Sequence, residues 1–235
     1  VSPLAAALTA FALFAAPVAA AALVRQRPRR APLTERPPCV STTVVVHEAG
    51  HTLLAWHCTA VADVLLVNVR ANASGGPGGF VRNAWMTAGP QPATNWCRLV
   101  VALGGFAAEM MVMQRASSGP SREDLLEAAA LCRAIVRAGG AEPPWPAPRE
   151  REIAFERAFA EEMSGAELAV MRAGYATARD LLARRAESLT RLVVFLLRKP
   201  VARGDELAEV LGHRPVASTT LWRVLSNEVR AEFSV

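Results

Sequence analysis

The chain has 235 residues, 52% of them hydrophobic and 20% charged. That balance suits one folded domain with a tail and excludes a disordered, collagen-like or disulfide-dense chain. With a single tyrosine and 6% aromatic residues, it lacks the stacking platform of a single-strand binder. The net charge of +5 is local, because Arg25, Arg27, Arg29, Arg30 and Arg36 supply most of it against Glu35. The rest of the chain carries no basic face, and no nucleic-acid partner is expected.

Residues 3–24 are an uncharged, alanine-rich apolar run. As a helix the run would reach about 33 Å, enough to cross a bilayer. The arginines directly after it predict a single-pass membrane anchor with everything downstream on the cytoplasmic side. The alternative is a cleaved signal segment, although its positive charge would ordinarily precede the apolar core. Residues 25–39, with Pro28, Pro32, Pro37 and Pro38, read as an extended linker.

The body starts near Val40. Residues 41–60 are expected to be a helix, opened by Ser41, Thr42 and Thr43. Val61 to Val69 is β-branched and strand-like, residues 73–79 form a glycine-rich turn, and Phe80-Val-Arg makes a short return strand. A loop covers 84–94. Helices follow over 95–114, apolar nearly all round and hence buried, and over 122–138, separated by Ser117-Ser-Gly-Pro-Ser. A Pro-rich loop spans 139–148. Two amphipathic helices are expected over 149–163 and 165–198, the second ended by Pro200, and a short helix over 205–211. The fold class is therefore mainly α with one small β-hairpin, preceded by a single N-terminal apolar helix. The four cysteines, Cys39, Cys58, Cys97 and Cys132, form no C-x-x-C pair and read as small buried residues in a reducing compartment.

The chemistry concentrates in His47-Glu48-Ala49-Gly50-His51. Histidines four apart on a helix lie about 40° from one another around its axis, so both rings can reach one Zn²⁺. Glu48 lies beside them, placed to accept a proton from water at the metal. His57 mimics the third ligand of a metzincin, but that pattern needs a glycine where Leu54 stands. In an unbroken helix His57 faces away, as a surface or packing residue. The acidic candidates for a third ligand are Asp63, Glu109, Glu123 and Asp124. An acidic group at a helix start is locally comfortable without a metal, and pattern alone does not separate the last three.

The order of His47-Glu-Ala-Gly-His51, Leu103-Gly-Gly-Phe-Ala-Ala-Glu109, Ser118-Gly-Pro-Ser-Arg-Glu-Asp124-Leu125, the stretch Ala178 to Leu197 and Gly204-Asp-Glu-Leu resembles the peptidase domain of the FtsH family. These are membrane-anchored, ATP-dependent zinc proteases, peptidase family M41, and the likeness covers about residues 40–212. The resemblance implies Asp124 as the third zinc ligand. One apparent extra residue in that segment keeps Glu123 as the lesser alternative. It implies Glu109 as a supporting group behind the ligands, and residues Val64, Leu65, Leu66, Val67, Asn68 and Val69 as a strand whose edge takes an extended substrate.

The expected organisation is an anchor or signal-like helix over 1–24, a linker over 25–39, the peptidase domain over 40–212 and a C-terminal extension over 213–235. No G-x-x-x-x-G-K-[ST] occurs, so the expectation is a zinc endopeptidase with no ATPase activity of its own. Such a chain would cut unfolded or flexible polypeptide, alone or beside a separate ATPase partner, and the resemblance implies a hexameric homo-oligomer. The rival is an inactive peptidase-like scaffold that binds peptides or organises a membrane protease complex, which has no need of Glu48. An intramembrane protease would need several apolar spans, and only 3–24 qualifies.

Overall fold

A computed structural model describes residues 40–58, 61–70, 78–85, 92–114, 120–139 and 161–214. All of them belong to one compact unit, Val40–Val235. The expected apolar helix over 3–24, the linker, residues 73–77 of the turn, residues 140–160 and the C-terminal extension beyond 214 lie outside the described residues.

The domain is mainly α-helical with a small sheet. Its elements are α1 (Thr42–His57), β1 (Val61–Asn68), β2 (Phe80–Trp85), α2 (Pro92–Ala102), α3 (Gly104–Met113), α4 (Pro120–Arg137), α5 (Gly165–Arg184), α6 (Ala186–Arg198), β3 (Val201–Arg203) and α7 (Gly204–Leu211). Helix α1 is the hub. Every residue from Val44 to Trp56 is buried, because α3, α6 and β1 pack against different sides of it. A helix buried all round is apolar all round, which is why the histidine motif sits in a run of valines and leucines.

Two expected helices are each divided. The helix expected over 95–114 bends at Leu103, where intrahelical hydrogen bonds continue from Leu103 N to Leu99 O and from Ala107 N to Leu103 O. The bend brings α3 across α1 with the two backbones almost touching. A Cβ on Gly50 would lie 2.3 Å from Gly104 O, and one on Gly104 would lie 2.9 Å from Leu54 Cδ1. Contrary to the expectation that only 3–24 qualifies as a span, Thr94–Met113 is also long and apolar enough to cross a membrane, but it is mostly buried inside the domain, as a core helix is. The helix expected over 165–198 divides at Arg185 without a Gly or Pro. There α5 packs on α2, α3 and α4, whereas α6 turns back onto α1, so one apolar stripe serves two sets of neighbours.

The hairpin is present, and a third strand joins it. The sheet order is β2-β1-β3, with β1 antiparallel to both neighbours. Asn68 pairs with Phe80 on one side and with Val201 on the other. Three residues after a proline carry no alternation, so β3 left no readable pattern. Cys58, Cys97 and Cys132 are buried, as expected, and burial pushes the Cys132 thiol up to about 12. Cys39 lies outside the described residues.

The crossing at Gly50 makes a testable demand. Gly50→Ala forces its methyl into the α3 backbone and is expected to destabilise the domain by about 2–4 kcal/mol. Gly165→Ala, where a Cβ meets nothing within 4 Å, should be neutral or stabilising by under about 1 kcal/mol. Urea denaturation of the two variants compares them directly; equal losses would refute the crossing as the cause.

Candidate metal centre

His47 and His51 sit one turn apart on α1, with ring centroids 4.6 Å apart and planes at 74°. Each ring is locked by its Nδ1. His47 Nδ1–H donates to Glu109 Oε1 at 2.6 Å, and His51 Nδ1–H donates to the Val101 carbonyl at 2.7 Å. These partners assign the Nδ1–H tautomer to both rings and leave both Nε2 lone pairs facing inward. The two Nε2 atoms are 2.9 Å apart. Asp124 Oδ2, from the first turns of α4, lies 2.8 Å from His47 Nε2 and 3.3 Å from His51 Nε2.

Two imidazole nitrogens and a carboxylate oxygen thus converge on one point, an arrangement that repels itself unless a proton or a metal cation is shared. Two imidazoles and one carboxylate with an open fourth side are a donor set that fits catalytic zinc. Gly105 completes the cradle. A Cβ there would lie 2.5 Å from His51 Nε2 and 2.6 Å from His47 Nε2, so only glycine lets α3 pass this close to the ligand nitrogens.

The electrostatics follow from the same packing. Burial lowers the pKa of His47, but hydrogen bonds with Asp124 and Glu109 and the charge of Glu48 outweigh it and lift it to about 9. Burial would raise Asp124; its hydrogen bonds with His47 and His51 win and hold it well below the ordinary carboxylate range. Burial dominates for Glu48 and raises it despite the nearby histidines.

The sequence-predicted residues divide as follows. His47, Glu48, His51 and Asp124 line one cleft of about 570 Å³. Asp124 reaches both rings, whereas Glu123, exposed on the same helix turn, also lines the cleft but joins no ligand cluster among the described residues. Glu109 is fully buried behind His47. His57 is half-buried at the end of α1, where burial, then Arg185 and Arg214, hold it neutral with a pKa of about 4.

The expected substrate strand lies apart from the metal ligands. Residues Val64, Leu65, Leu66, Val67, Asn68 and Val69 belong to the middle strand and its end, and none of them lines the cleft. β2 takes one edge of β1; on the other edge β3 pairs with 66–68, and Gly204 packs so closely that a Cβ there would lie 2.7 Å from Val64 O. The strand beside the metal ligands is β2, through Phe80, Val81, Arg82, Asn83 and Trp85. Reading the sequence as a two-stranded hairpin left both strands as edges, and only the third strand removes that choice. The Val101 carbonyl was also missed, since a backbone acceptor carries no residue-type signal.

A helical domain holding H-E-x-x-H on its central helix, with a distant carboxylate closing the donor set, has the make-up of a metallopeptidase domain. Comparison with known proteins agrees. The family model for peptidase family M41 matches residues 40–210. The chain is 26% identical over 196 residues to the mitochondrial inner membrane m-AAA protease component AFG3L1 of Mus musculus, covering 79% of this chain and 24% of that protein. It is 30% identical over 185 residues to the ATP-dependent zinc metalloprotease FtsH 1 of Sorangium cellulosum (strain So ce56), covering 71% of this chain and 29% of that one. The chain therefore belongs to peptidase family M41, and it spans about a quarter of the length of these curated relatives.

The donor set predicts the outcome of metal analysis on the purified chain. Wild type should hold about one zinc per chain, Asp124→Asn should lose it, and Glu123→Gln should keep it. Glu109→Gln should weaken zinc affinity by about 10- to 100-fold by loosening the His47 ring. Loss of zinc on changing Glu123 alone would overturn the ligand assignment.

Proposed function

We propose that this chain is a zinc-dependent endopeptidase that cuts unfolded or flexible polypeptide. The observation that carries the reading is the convergence of the His47, His51 and Asp124 donors beside the buried carboxyl of Glu48, on a cleft bordered by strand β2. Zinc held by those three residues would supply Lewis-acid polarisation of the peptide carbonyl and a more acidic water.

The chain's own residues supply the rest. The Glu48 carboxylate takes the proton of the attacking water and returns it to the leaving amine nitrogen. Burial lifts its affinity for that proton, which suits a group that must hold it and then release it. Glu109 and Val101 keep the imidazole rings from turning. The edge of β2 that faces away from β1 offers main-chain donors and acceptors to an extended segment, which selects for unfolded chain over side-chain identity. Residues 3–24 would serve as the membrane anchor with the domain on the cytoplasmic side, supported by the apolar run and the arginines after it. A separate ATPase partner and a homo-oligomeric ring are part of the same proposal, supported by the kinship with an ATP-dependent relative.

Hydrolysis of unfolded casein by the zinc-loaded chain tests the reading. Glu48→Gln should retain zinc and lose about 100- to 10,000-fold in kcat. Casein bound but cut by neither version would favour the peptidase-like scaffold and end the enzyme reading.

A further inference from the structure

We propose that Gly79 is a positioning residue for Glu48, so that the strand bordering the cleft also seats the base. This inference rests on the peptidase reading. The Glu48 side chain is 4% exposed, and the influences on its carboxyl are burial and the charges of His51, His47, Asp124 and Glu109, with no hydrogen bond among them. Thr52 Oγ1 donates to the Glu48 backbone carbonyl, not to its side chain, and no side-chain hydrogen bond of Glu48 is found among the described residues. A carboxylate without a polar tether is placed by shape. The shape comes from Gly79, the residue directly before β2: a Cβ there would lie 2.6 Å from Glu48 Oε1, 2.8 Å from Glu48 Cγ and 2.6 Å from Val44 Cγ1.

Bare backbone at this point does two things. It fills the space beside the carboxyl closely enough to limit its rotamers, and it leaves the oxygens unpaired and free to accept a proton. A methyl at Gly79 would meet the far end of a flexible side chain, so Glu48 yields before the fold does. The damage should fall on the base. Because Gly79 continues into Phe80 and the cleft strand, a polypeptide aligned on β2 and the group that activates its attacker share one piece of backbone.

The test uses the zinc-loaded full chain with Gly79→Ala, Val44→Ala and the double variant. Gly79→Ala should retain zinc stoichiometry and KM for a flexible peptide while kcat falls by roughly 100-fold. Val44→Ala should cut normally, and the double variant should stay slow, because removing the valine relieves only the packing contact. A crystal structure of Gly79→Ala should show the Glu48 carboxylate displaced by about 1 Å or more relative to wild type. Recovery of kcat in the double variant, or an unmoved Glu48, overturns the proposal. If the wild-type chain cuts nothing, the peptidase reading fails, and the position of Glu48 in the two crystal structures still decides this one.

Discussion

Two hydrogen bonds on the far sides of two rings determine what the centre of this domain can hold. With Nδ1–H of His47 given to Glu109 and Nδ1–H of His51 given to the Val101 carbonyl, neither ring can turn, and neither can place a proton at Nε2 without becoming charged. Asp124 then adds a third electron pair to the same point. The protein has assembled mutual repulsion in a buried place, which a divalent cation converts into cohesion.

The ring partners both come from the α2–α3 segment, so the site depends on how closely that segment approaches α1. Gly50 and Gly104 allow backbone contact at the crossing, and Gly105 lets the segment pass close to the ligand nitrogens. Side chains at any of these three positions would hold the helices apart and pull Glu109 and Val101 away from their rings. Glu109 is fully buried and finds in His47 the polar partner that a carboxyl requires there. Fold stability and ligand geometry are therefore carried by the same contact.

The sheet contributes at the opposite side of the cleft. A third strand and the start of α7 cover one edge of β1, and β2 covers the other. Among the described residues β2, the strand touching the metal-ligand cleft, is an outer strand of the sheet. Helices thus carry the candidate metal ligands, and strand β2 borders the same cleft.

The sequence by itself determined the features that depend on short spacing. Two histidines four residues apart must share a helix face, the valine- and leucine-rich surroundings must be buried, and Gly-Pro near 119–120 must separate two helices. It also placed α1, β1, β2 and α7 to within a few residues, because each carries its own periodicity or flanking breakers. Spacing left Asp124 and its neighbour Glu123 open, since adjacent residues on a helix differ in direction by about 100°; in the fold it is Asp124 whose carboxylate lies against both rings. The same holds for the division of the long helices at Leu103 and Arg185, where continuous apolar stripes conceal a change of partner. It holds for β3 and for the Val101 carbonyl, whose contributions come from main-chain atoms that every residue possesses. Local spacing is written in residue types; long-range contact, and any role played by backbone alone, is written only in the folded chain.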